Sequence, residues 1–425
     1  MKIRGLIATA AAGALALGLA ACGAEEEPST GPVSLRMTVW SSNEAHLKLF
    51  NEIADAYKAK NPRVTEVKFD PIPFENYTTT LTTQIAGGNG PDLAWVLENS
   101  APDFVSSGAL VPLDDTLAKA DGYNAADLNP AATKLWQTDG RLYAYPFSTS
   151  PFGMFVNNDM LKAAGQQTPA ELIAAGQWTW DKAVAAAAAS AAKSGKAGLV
   201  VRDFDYKGWD NLSTVWTGWG AQAWSADGKT CGFDQQPMVD AMTFLHKAIF
   251  TDKALPGPGT TADFFAGDSA MTITQISRAS LLKDAKFGWD LVPLPTGPKG
   301  EYSVIGQAGL GVLKKGKNAD VAADFLAFFT SPENSAKLAA YFPPPRTSQL
   351  TAETLAKTNP LLKPEQLQQV VIDGISTGVV KPSHSGQAEI SQAVRAALDP
   401  LWKADADVKA VLGGVCQAIN PLLAK

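Results

Sequence analysis

Six aromatic residues, Phe204, Tyr206, Trp209, Trp216, Trp219 and Trp224, fall within 21 positions, with Asp205 and Asp210 among them. Indole rings are costly to leave in water, and a buried one needs a partner for its N–H. Several of these rings therefore belong in a hydrophobic core. Trp209 and Trp219, however, neighbour Asp and Gly, as rings do in loops at the rim of a cleft. Sugar rings carry patches of C–H that settle on an indole face, while their hydroxyls need carboxylates and amides around the edge. Trp beside Asp, Glu, Asn and Gln suits a cleft of that kind.

Catalytic constellations are weak by comparison. His46, His246 and His384 are far apart and have no HExxH or CxxC company; the first two fall on expected helices. Gly267-Asp268-Ser269-Ala270-Met271 lacks the closing glycine of a nucleophile elbow. Gly311 to Asn318 comes close to a phosphate-binding loop, but Asn318 replaces the Ser or Thr that would hold magnesium. Leu313 to Lys315 would also crowd such a loop, so the segment reads as a solvated turn. No cofactor and no metal are expected.

The ends of the chain place it. Lys2 and Arg4 precede an uncharged run from Ile7 to Ala21, shorter than the roughly 20 residues that span a bilayer but right for a signal peptide. Leu19-Ala20-Ala21-Cys22-Gly23 resembles the lipobox of bacterial lipoproteins, in which the cysteine takes a diacylglyceryl group and begins the mature chain. The expectation is a signal peptide over 1–21, a lipidated flexible tether over 22–34, and an extracytoplasmic, membrane-anchored body. Losing Lys2 and Arg4 takes the formal charge from −6 to −8, and no basic stripe is present, so nucleic acid is not an expected partner. Cys231 and Cys416 remain, either a disulfide or two separate buried thiols.

About 390 residues follow the tether, more than one core usually serves. Strands are expected at Leu35–Trp40, Val64–Phe69 and Leu93–Leu97, with helices between them, which predicts an α/β lobe with a largely parallel sheet. Ser41 and Glu44 have capping-box spacing, and Leu47, Phe50, Ala54 and Tyr57 then mark one helical face. Trp178 to Asp181 opens an alanine-rich helix that ends near Gly195. Leu310 to Leu313 is a further strand, and Asn318 caps the helix after it.

These segments, in this order, resemble family 1 of the bacterial extracellular solute-binding proteins, the maltose-binding-like receptors of ABC importers. The likeness is carried by Gly90-Pro91-Asp92-Leu93 with Gly108 to Leu113, by Pro146 with Phe155 to Leu161, by Trp178 to Asp181, and by Phe264 to Met271. It implies an α/β, two-lobed periplasmic-binding-protein-like fold (type II) with a ligand cleft between lobes joined by crossing strands. By motif position the crossings fall near Phe147–Gly153, Ser303–Gly309 and Pro343–Thr347. Lobe 1 is then 35–148 plus 308–343, and lobe 2 is 149–307 plus 344–425. Cys231 and Cys416 would share a lobe.

Ligand contacts in such a fold come from loops at strand ends. Asn43 and Glu44 follow the first strand, as ligand groups or as plain helix caps. Glu98 and Asn99 follow the third strand, and Gln275 and Arg278 follow the Gly267–Met271 element; both are contact regions in the family. Arg346 and His384 lie beyond crossings, either at the ligand or on the surface. An inward Arg278 or Arg346 would favour an anionic ligand, because a guanidinium grips a carboxylate with two bonds. Trp209, Asp210 and Trp219 complete the expected set. The resemblance implies a monomeric receptor that captures a carbohydrate and delivers it to a permease. A surface-anchored glycoside hydrolase and a receptor feeding a signalling system are the alternatives.

Overall fold

The computed structural model describes residues 31–202 and 208–424, the side chain of Glu75 excepted. Cys22, Phe204, Asp205, Tyr206 and the expected signal segment lie outside the described residues.

The strands, in chain order, are β1 (Val33–Val39), β2 (Val64–Pro71), β3 (Leu93–Leu97), the short hairpin β4 (Gln137–Thr138) and β5 (Arg141–Leu142), β6 (Ala144–Asn157), β7 (Ala197–Val201), β8 (Ser269–Gln275), β9 (Trp289–Val292), β10 (Val304–Val312) and β11 (Val379–Val380). One hydrogen-bonded path runs β2-β1-β3-β10-β6-β8-β7. Two strands carry the chain between halves. β6 pairs with β10 from Ala144 to Pro151 and then with β8 and β9 from Phe152 to Asn157. β10 pairs with β11 at Val304 and Ile305 and with β3 from Ala308 onward. β6 is buried along almost its whole length, which explains its apolar, non-alternating sequence. The sheet is mixed and not largely parallel: β1, β2 and β3 run parallel, but the crossing strands meet their neighbours antiparallel.

Buried side chains gather in separate cores. One takes Val33 to Phe147 together with Ala308 to Phe342. A second, centred on Trp180, Trp209, Trp216 and Phe233, draws from Phe152 onward and includes the C-terminal helices. A smaller cluster between Phe155 and Ile375 adjoins it. The alanine-rich helix Trp180–Ser194 owes its small residues to close packing: a Cβ on Gly198 of β7 would meet the Ala187 carbonyl oxygen at 2.3 Å. Cys231 and Cys416 are bonded, Cα to Cα 5.3 Å, which ties the loop after Trp224 to the last helix, Val408–Leu423.

Several local readings need correction. The first helix, Glu44–Lys60, is capped by Asn43, whose Oδ1 accepts from the Ala45 and His46 N–H groups at 2.9 and 3.4 Å; Ser41 is not the cap. Asn318 precedes the helix Ala319–Phe329 without a side-chain cap bond. Near Gly316 a carboxylate fills the turn that looks like a phosphate loop: Asp92 Oδ1 accepts from the Asn318 N–H at 3.3 Å and Oδ2 from the Arg36 N–H at 2.9 Å.

Arg346 is wholly buried against the first core. Its guanidinium donates to the Asn124 and Thr330 carbonyls at 3.1 and 3.2 Å, lies 3.8 Å from Asp127 and covers the Tyr123 ring. Ser348 and Gln349 bond to the same half, at Asp127 and Ser335. Contacts to the first core thus extend past the expected Pro343–Thr347 crossing, as far as Gln349. A buried guanidinium needs that many acceptors, and the first half supplies them.

Candidate functional site: the cleft between the halves

The sheet brings the end of β3 from the first core close to the segment after β11 in the second half. Glu98, buried at the end of β3, meets Lys381, which follows β11 and is 8% exposed, at 2.9 Å. Asp210, on the turn Trp209–Leu212 of the second core, meets the same ammonium at 2.8 Å, and Asn211 Oδ1 accepts from it at 3.4 Å. One cation thus holds carboxylates from both halves. Burial alone would pull the lysine's pKa down, but Asp210 and Glu98 outweigh it and hold the ammonium well above its ordinary range.

Next along the cleft lies Gln275, at the end of β8. It accepts from the Arg202 guanidinium at 3.0 Å, and that guanidinium lies 5.8 Å from the ring of Phe74 in the first half. A Cβ on Gly306 would fall 2.1 Å from Gln275 Nε2, so glycine there lets the amide lie flat on the crossing strand. Asp103 reaches across as well, accepting from the Gly386 N–H at 2.8 Å.

Beyond Phe74 the cleft widens into a cavity of about 430 Å³, within the range of small-molecule pockets. Trp40, Asn43, His46 and Tyr341 line it from the first half, and Ile276, Ser277, Ser280, Leu355, Leu362 and Val371 are among the residues that line it from the second. Trp40 follows β1 and is held edge-on by Trp95 and Tyr77, with ring centroids at 4.5 and 5.3 Å. His46 shares a 2.7 Å hydrogen bond with Ser41 and packs on Tyr341, 4.4 Å away; burial pulls its pKa below the ordinary 6.5.

Of the sequence-predicted residues, the cleft brings together Glu98, Asp210 and Gln275, with Asn43 at the cavity wall. Asn99 is half-buried beside Glu98, and Arg278 is half-buried on the turn Ile276–Leu282. Glu44 is exposed on the first helical turn. Trp209 and Trp219 do not stand at a rim. Trp209 is 1% exposed among Trp216, Trp224 and Phe233, and Trp219 packs on Phe244, because the second core has enough aromatic surface to enclose both. Arg346 is a core residue of the first half. His384 lies against Trp224, its Nε2 3.0 Å from the Gly228 carbonyl oxygen. Sequence reasoning missed Lys381, Arg202, Phe74 and Trp40. Lysine in the run Gly378-Val379-Val380-Lys381-Pro382, set against apolar neighbours, was the available signal.

A two-lobed α/β fold whose halves meet over carboxylates, amides and rings has the build of a receptor that encloses a solute. Residues 52–364 match the family described as bacterial extracellular solute-binding protein, and the chain belongs to that family. A binding protein of Brucella abortus (strain 2308) is 27% identical over 288 residues, 64% of this chain. The chain spans 66% of that relative, just under two thirds of its length. The sn-glycerol-3-phosphate-binding periplasmic protein of Escherichia coli (strain K12) is 28% identical over 356 residues, covering 77% of this chain and 76% of that protein. Among solved structures, an ABC substrate-binding protein from Listeria monocytogenes in complex with cycloalternan superposes with a TM-score of 0.80 at 22% identity, covering 92% of this chain and 99% of that one. The fold is that of the two-lobed periplasmic binding proteins.

Proposed function

We propose that this protein captures a carbohydrate in the cleft between its halves and delivers it to the membrane permease of an ABC importer. The observation that carries this reading is the pairing of Glu98 and Asp210 from opposite halves on one buried lysine, next to Gln275 and the Trp40 cavity. Carboxylates and amides accept and donate to hydroxyls, and the ring takes C–H surface. A ligand touching both halves favours the shut form by its differential affinity; hinge closure of periplasmic binding proteins is a known example of such a transition. In this reading one half is 35–148 with 308–349, and the other is 149–307 with 350–425. Asn43, Glu98, Asp210 and Gln275 contact the ligand.

No bond is broken in this reading. A glycoside hydrolase needs room for a scissile bond between its two carboxylates, and here the Lys381 ammonium fills the gap between Glu98 and Asp210. The leader motif and Cys22 support a lipid anchor outside the membrane, which fatty-acid labelling of wild type and Cys22→Ser would check.

The test is a thermal-shift screen of mono- and oligosaccharides, polyols, sugar acids and sn-glycerol-3-phosphate, followed by calorimetry. A carbohydrate should raise the melting temperature progressively with concentration. Response to the phosphate ester alone, or cleavage of an oligosaccharide, would overturn the reading.

A further inference from the structure

The cavity beside Trp40 has a property that the Lys381 end of the cleft lacks: among the described residues, no Asp, Glu, Lys or Arg lines it. His46, its one ionisable wall residue apart from Tyr341, is engaged by Ser41 and two aromatic rings. The second half contributes an aliphatic wall, with Leu355, Leu362, Leu367 and Val371 all belonging to a buried cluster. The first half contributes Trp40 and Phe342. Hydroxyls and amides, among them Ser277, Ser280 and Asn43, stand around this apolar lining.

An anionic group placed here would surrender its hydration, and the described residues that line the wall supply no cation to replace it. A further sugar ring would bring three or four hydroxyls against an aliphatic wall with few partners. An aryl or alkyl group loses nothing by leaving water and gains contact with both walls. The cavity also continues the polar cleft, through Ile276 next to Gln275 and through Phe74, whose ring is 6.0 Å from Trp40.

We propose that this cavity is a subsite for an apolar aglycone, so that the ligand class is a neutral glycoside whose sugar lies toward Glu98, Lys381 and Asp210. The proposal rests on the carbohydrate reading above. Its test compares methyl glycosides, phenyl glycosides and the corresponding disaccharides of glucose, galactose and mannose, in both anomers, by calorimetry on the full chain. For the preferred sugar, the phenyl glycoside should bind at least about tenfold tighter than the methyl glycoside and tighter than the disaccharide, as burying a phenyl group predicts. Ser280→Trp or Ser277→Trp, each at an exposed position on the cavity wall, should abolish that advantage and leave the methyl glycoside's affinity unchanged. Equal affinities for methyl and phenyl, or a disaccharide that binds tightest, would overturn the aglycone subsite while sparing the carbohydrate reading. Failure of every sugar to bind would overturn both.

Discussion

Lys381 Nζ lies 2.9 Å from Glu98 Oε1, although the glutamate ends a strand of the first core and the lysine belongs to the other half. The second carboxylate, Asp210, comes from the lysine's own half. Opening the cleft must therefore part Lys381 from Glu98, while the Asp210 pair can move as a unit. In the proposed hinge motion, the contact belongs to the shut form.

Lys381→Met should convert that contact into a repulsion. Two buried carboxylates left without their cation cost about 3–5 kcal/mol if they stay dry. Opening lets water reach both, so the variant should be open in the absence of ligand. Small-angle scattering should show a larger radius of gyration than wild type; an identical profile would mean that the ammonium does not hold the halves together.

Arg346→Met should act on stability and not on binding. It removes the cation beside Asp127 and a donor from each of two carbonyls inside the first half, at a cost of about 3–5 kcal/mol. Denaturant unfolding should show the loss, while ligand affinity of the folded fraction stays within about twofold, well under the tenfold that 1.4 kcal/mol produces. A large drop in affinity at unchanged stability would return Arg346 to the ligand.

His46 should make stability depend on pH. Its folded pKa is depressed by burial, so the unfolded chain takes up the proton first. This contribution is fully present above about 6.5 and is lost as pH falls through that value toward the folded pKa. Melting temperature should therefore decline on acidification from pH 7.5, and the decline should be shallower in His46→Gln. Parallel curves for the two proteins would rule the residue out.

Reduction of Cys231–Cys416, or Cys231→Ser with Cys416→Ser, opens a loop spanning 185 positions. Loss of such a constraint costs about 2–5 kcal/mol. The last helix should then exchange its amide hydrogens faster than β1 and β3, which the bond does not touch. Uniform acceleration across both halves would show that they unfold together.

Strand and helix order was legible because burial imposes period. Phe50, Ala54 and Tyr57 face the core as their spacing demands, and β3 is buried as its apolar run demands. Glu98 was singled out because it follows the third strand, a contact region in the family the chain resembles, and the structure sets it beside Lys381. The antiparallel entry of β6 and β10 was not legible from the alternation of strands and helices, because it follows from how two halves share strands.

Periodicity and the ordered motifs are one-dimensional, and the sequence alone determined them: an α/β chain and a resemblance to solute-binding receptors, with a lipid attachment at Cys22 as an expectation. Which charged group faced which was decided only in three dimensions. Lys381 is 171 positions from Asp210 and farther still from Glu98, and nothing local marks the three as partners. Trp209 and Arg346 teach the same lesson in reverse: each looked placed for a ligand until the rings and carbonyls of distant segments enclosed it. Burial is a property of the packed whole, and a side chain's neighbours in space are chosen by the fold, not by its neighbours in sequence.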